Sequence, residues 1–107
     1  MARAGRGELT LSVLDTTIFD VYYVLTSPRL YGMPQPLVSV ALTSLIQSPG
    51  VRVEDRATLI RALDLAPSLR SLGDAMIVAT MERDGTAEVF SWDRGFDRVP
   101  WVRRLEP

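Results

Sequence analysis

The order of apolar and polar positions divides the chain into alternating short strands and helices. From Glu8 to Asp15, "ELTLSVLD" sets Leu9, Leu11 and Val13 against Thr10 and Ser12, the period of two that marks a strand. "TTIFDVYYVLTS" follows as a helix, with Thr16 or Thr17 placed to cap it and Ser27-Pro28 to stop it. Gly32, Pro34 and Pro36 make "RLYGMPQP" a loop. Beyond it, Leu37, Val38, Ala41, Leu42, Leu45 and Ile46 recur at helical spacing as far as Ser48-Pro49-Gly50. "VRVED" predicts a brief strand. Asp55 then caps "RATLIRALDLA", whose Leu59, Ile60 and Leu63 form a core stripe before Pro67 ends the helix. Ser71 caps "LGDAMIVATMER", and Asp84-Gly85 closes it with a left-handed turn. "TAEVFSWD" is a strand, and Trp101 to Leu105 a short terminal one. The pattern β-α-α-β-α-α-β with a small final β predicts an α/β sandwich around a mostly parallel sheet.

Composition narrows the chemistry. The chain has 107 residues, 47% hydrophobic and 23% charged, which suits a single folded domain. No apolar run approaches the roughly 20 residues of a membrane span, and "MARAGRGELT" is basic without the apolar centre of a signal peptide. The expected location is the cytoplasm, with no membrane partner. Cysteine and histidine are absent, which excludes disulfides, thiolate nucleophiles, imidazole bases and nearly all zinc-hydrolase designs. All 12 basic side chains are arginine, so lysine chemistry is excluded as well. Carboxylates remain, and these suit hard cations such as Mg²⁺ or Mn²⁺. A net charge of −1 offers no global attraction for nucleic acid, so any RNA contact must come from local arginines.

Ligands of parallel α/β sheets bind at the carboxyl ends of strands. Asp93 stands at such an end, Asp20 lies one turn into the helix after the first strand, and Asp74 lies in the first turn of its helix. Three carboxylates converging on one edge would call for a divalent cation to neutralise them. Each also has a structural explanation. Asp74 follows Ser71 by three residues and suits a helix start. Asp20 occupies either a narrow solvent stripe or a polar site. Asp93 and Asp97, beside Arg94 and Arg98, suit solvated ion pairs.

Taken together, "LGDAMIVAT" followed by "VFSWDRGFDRVPWVRRLEP" resembles the carboxyl half of a PIN-domain nuclease of the VapC-like toxin type. Asp74-Ala75-Met76-Ile77-Val78-Ala79 is similar to that family's aspartate-led small-residue helix, and Ser91-Trp92-Asp93-Arg94-Gly95-Phe96 to its strand-end motif. "GELTLSVLDTTIFDVYYVLTSPRLYG" is similar to its second strand and following helix, with Asp20 where the family has a glutamate.

The resemblance implies a PIN-like three-layer sandwich with a mostly parallel sheet, spanning 1–107 as one amino-terminally truncated domain. "MARAGRGEL" resembles the end of the family's first helix running into its second strand, so the first strand, most of that helix and the first metal-binding aspartate are expected to be missing. Asp15-Thr16-Thr17 only imitates the lost motif. Without its central strand the sheet is expected to fall into two halves with unpaired edges, open to another chain. The implied activity is endoribonuclease cleavage, as the toxin of a toxin–antitoxin pair. Asp20, Asp74 and Asp93 are implied as catalytic and metal-holding acids for Mg²⁺ or Mn²⁺, and Asp97 as a further metal candidate. Arg94 and Arg98, with Arg103 and Arg104 beside them, are candidates for RNA phosphates. The implied partners are an RNA substrate, a cognate antitoxin protein and a second copy in a homodimer, with Tyr22, Tyr23 or Tyr31 suited to protein contacts. The alternative is a catalytically dead remnant that only binds an antitoxin or another protomer.

Overall fold

A computed structural model describes residues 10–107. Strand β1 (Leu11–Ser12) leads into helices α1 (Asp15–Thr26) and α2 (Gln35–Ile46), then β2 (Val51–Arg52), α3 (Arg56–Leu69), α4 (Leu72–Asp84) and β3 (Glu88–Phe90). A 3-10 helix (Arg94–Arg98) and β4 (Arg103–Leu105) complete the chain. The order of elements follows the expected alternation. Its parallel pairings make it an α/β fold, one much richer in helix than in sheet.

Among the described residues the strands form two separate parallel pairs. β1 pairs with β2, Leu11 opposite Val51, and β3 pairs with β4, Glu88 opposite Arg103 and Phe90 opposite Leu105. Each strand is only two or three residues long. The first is shorter than the period-two pattern predicts, and the Glu8 and Leu9 part of that expectation, with "MARAGRGEL", lies outside the described residues. Helix α1 begins earlier than expected, at Asp15. Its N-cap is Leu14, whose backbone carbonyl accepts from the Thr17 and Ile18 amides, so neither Thr16 nor Thr17 is the cap.

The core is therefore made mostly between helices. Leu59, Ala62, Leu63, Ala66 and Leu69 form one buried stripe of α3, facing Leu72, Ala75, Val78 and Ala79 of α4. The alanines Ala62, Ala66 and Ala75 are fully buried, and their small side chains allow the two helices to pack closely. Ile18 and Tyr22 from α1 and Val38, Leu42 and Ile46 from α2 close the other side. Pro67 does not end α3, which continues to Leu69. A proline forfeits one helical amide bond, and burial of Ala66 and Leu69 on either side of it holds the last turn in place. The helix stops at Arg70, which takes a left-handed conformation, φ 58° and ψ 23°, usually reserved for glycine.

Candidate active site

The site is built where α4 begins and β3 ends. Ser71 has extended backbone, and its Oγ accepts from the Asp74 amide at 3.1 Å, the N-cap arrangement its sequence position predicts. This fixes the first turn of α4 and leaves the Asp74 carboxylate, rather than the serine, to look outward. After β3 the chain turns into the 3-10 helix with Asp93 as its cap. The Gly95 amide donates to Asp93 Oδ1 at 2.8 Å, and the Asp93 amide donates to Ser91 Oγ at 3.0 Å. Phe96, fully buried in the next position, anchors this loop to the core.

Gly95 measures how closely the two acids approach. A β-carbon at that position would lie 3.0 Å from Asp93 Oδ1 and 3.4 Å from Asp74 Oδ2, so both carboxylates crowd over the same glycine. Their electrostatics register the contact. Partial burial, then the hydrogen bond and like charge of Asp93, push the Asp74 carboxyl up to about 6. Asp93 moves the other way: the Gly95 amide, a proton shared from Asp74, and the fields of Arg98 and Arg104 hold it below the usual carboxylate range. One proton between two apposed carboxyls is what these opposite shifts describe.

The other predicted residues stand apart from this contact. Asp20 is exposed on α1. Among the described residues no group of three acidic side chains is gathered as a metal cluster. Asp97 lies in the 3-10 helix and is engaged by Arg104, whose Nε and Nη2 donate to its two oxygens at 3.0 and 3.3 Å. Arg104 also reaches the Ser91 carbonyl and Glu106, so it ties the loop to the terminus. Arg94 and Arg98 are exposed beside Asp93. Arg103 is exposed and near Glu88, 3.8 Å away.

Two features go beyond the sequence expectations. Gly95 stands inside "SWDRGF", where a glycine two residues after an acid was the available signal, yet its role as the floor beneath two carboxylates depends on the fold. Arg70 has no signal in the sequence at all, since only backbone geometry reveals a left-handed arginine just ahead of the site. Of the tyrosines, Tyr22 is buried, its hydroxyl donating to Gln35 at 3.0 Å, while Tyr23 and Tyr31 are exposed.

Residues 2–102 match a family described as the PIN domain. No curated protein matches the sequence.

Proposed function

The chain belongs to the PIN domain family, and from that premise we propose that it is a divalent-metal-dependent endoribonuclease centred on Asp74 and Asp93. The observation that carries this reading is the apposition of those two carboxylates over Gly95. Such a pair is electrostatically unfavourable without a cation, and two carboxylates completed by water and substrate phosphate are an ordinary Mg²⁺ site. The chain has no histidine or cysteine that would favour a softer metal. Mg²⁺ or Mn²⁺ therefore suits the donors present.

When bound, such an ion lowers the pKa of its water and neutralises charge that develops on the phosphate. The protein's own part is positioning. The Ser71 cap holds Asp74 in the first turn of α4, and the Gly95 amide holds Asp93 in the orientation that faces it. Asp20 enters the proposal as an acid acting through bound water. Exposed Arg94 and Arg98 bind RNA phosphates flanking the scissile bond. Arg104 is committed to Asp97 and Glu106 and serves to brace the loop, which leaves Asp97 a lesser candidate for the metal.

The finer reading is a cytoplasmic VapC-like toxin whose partners are an antitoxin protein and a second copy of the chain. Exposed Tyr23 of α1, Tyr31 of the turn that follows it, and Leu37 and Val40 of α2 support a protein partner, since large apolar side chains so placed are favourable contacts. The test is cleavage of fluorescent single-stranded RNA during Mg²⁺ and Mn²⁺ titration. Metal-dependent cleavage that is lost in Asp74→Asn and in Asp93→Asn is expected. No cleavage by the wild-type chain at any metal concentration, or undiminished cleavage by both variants, would overturn the assignment.

A further inference from the structure

A cleft of about 230 Å³ opens against the residues that lead into Asp74, and it has the makings of a nucleobase site. Its walls are Phe19, Tyr22, Tyr23 and Thr26 of α1, Gln35 of α2, Arg70, and the three residues Ser71 to Gly73 that lead directly into Asp74. Phe19 and Tyr23 are four apart on α1 and so share one face of that helix, with Asp20 one turn before Tyr23. The cleft thus adjoins the start of the helix that carries Asp74.

Its chemistry is mixed in the way a base requires. Tyr23 is 68% exposed, an aromatic ring left in solvent at the mouth of a cavity. The Gln35 side-chain oxygen is occupied by the Tyr22 hydroxyl, which leaves the amide NH₂ as a double donor. The Thr26 hydroxyl donates to the Tyr22 carbonyl, so its oxygen is left to accept. Arg70 makes no ion pair or side-chain hydrogen bond among the described residues, and it holds a left-handed backbone conformation that an arginine adopts at an energetic penalty. That conformation places a planar cation at the cleft wall immediately before the catalytic helix.

We propose that this cleft binds one unstacked base of the single-stranded RNA substrate, with Tyr23 as the stacking platform, Gln35 and Thr26 reading the base edge, and Arg70 holding the adjoining phosphate or stacking on the ring. Extruded bases of single-stranded RNA are recognised by aromatic and guanidinium planes with polar groups at the base edge. The proposal rests on the ribonuclease reading for its choice of ligand and supplies what the acidic pair lacks, a means of choosing where along an RNA the cut falls.

The experiment measures binding of a fluorescent single-stranded RNA 12-mer by anisotropy, using the full chain carrying Asp93→Asn with Mg²⁺ present. Tyr23→Ala is expected to weaken binding by about ten-fold, as loss of one stacked base does, and Tyr23→Phe to restore most of it. An abasic position is then scanned along the RNA. At one position, removing the base gives the same loss as Tyr23→Ala, and the two losses do not add. Unchanged affinity in Tyr23→Ala, additive losses at every position, or no RNA binding at all overturns the proposal. Cleavage by the unsubstituted chain is scored separately. Base-dependent binding without cleavage refutes the nuclease and leaves the cleft standing, while cleavage that is indifferent to Tyr23 does the reverse.

Discussion

Replacing Asp74 by Asn removes one charge from the acidic pair while keeping the shape of the side chain and a donor for Asp93. In the folded protein the Asp74 carboxyl is raised from 3.8 to about 6, chiefly by burial and then by Asp93. At full weight such a displacement corresponds to about 3 kcal/mol. Asp74 is only partly buried, so solvent screening reduces the expected effect to about 1 kcal/mol. The sign follows from proton binding. The folded state keeps the Asp74 proton at pH values where the unfolded chain has released it, so wild-type stability is fullest below about pH 4 and falls as pH rises through about 6. Asp74→Asn does not share that loss. Without metal, the variant is expected to match the wild type near pH 4 and to exceed it by about 1 kcal/mol at pH 7.5, a difference of about 4–8 °C in Tm for a domain this size. Asp93 contributes in the opposite sense and in a lower window: its stabilisation is lost as pH falls below the usual carboxylate range. The assay is thermal unfolding from pH 4 to 8 in EDTA, repeated in Mg²⁺, which should stabilise only the wild type and narrow the gap. Equal or lower stability of Asp74→Asn at pH 7.5, or a gap that persists unchanged at pH 4, would refute the account of the pair.

Gly95→Ala places a methyl group 3.0 Å from Asp93 Oδ1 and 3.4 Å from Asp74 Oδ2; because Gly95 does not have a positive φ, the fold is expected to survive while metal-dependent RNA cleavage falls by about ten-fold or more, as read by initial rates beside a circular dichroism spectrum. Arg70→Gly relieves the left-handed arginine and is expected to raise stability by about 0.5–1 kcal/mol in urea unfolding, while weakening RNA binding in the anisotropy assay.

Much of the helical framework is legible in the residues themselves. Capping by Ser71 and Asp55 and the glycine stop at Gly85 are short-range hydrogen-bonding and backbone effects, and they occur where the sequence places them. Pro67 breaks the local rule because burial of Ala66 and Leu69, a tertiary effect, outweighs the loss of one amide bond. The strands are shorter than their alternation predicts, since a ladder extends only as far as a neighbouring strand accompanies it.

Asp74 and Asp93 are separated by a whole helix and a strand, and each by itself reads as a cap or a solvated acid. Sequence determined that both would stand at the ends of elements, the places where a carboxylate can accept backbone amides and face outward. Only the tertiary structure decided that the turn after β3 lays Gly95 beneath both side chains, that Arg104 takes Asp97 out of that group, and that Tyr22 goes inward while Tyr23 stays at the surface. Periodicity and capping act within a few residues, whereas apposition of charges depends on how distant segments pack, and no local pattern encodes that distance.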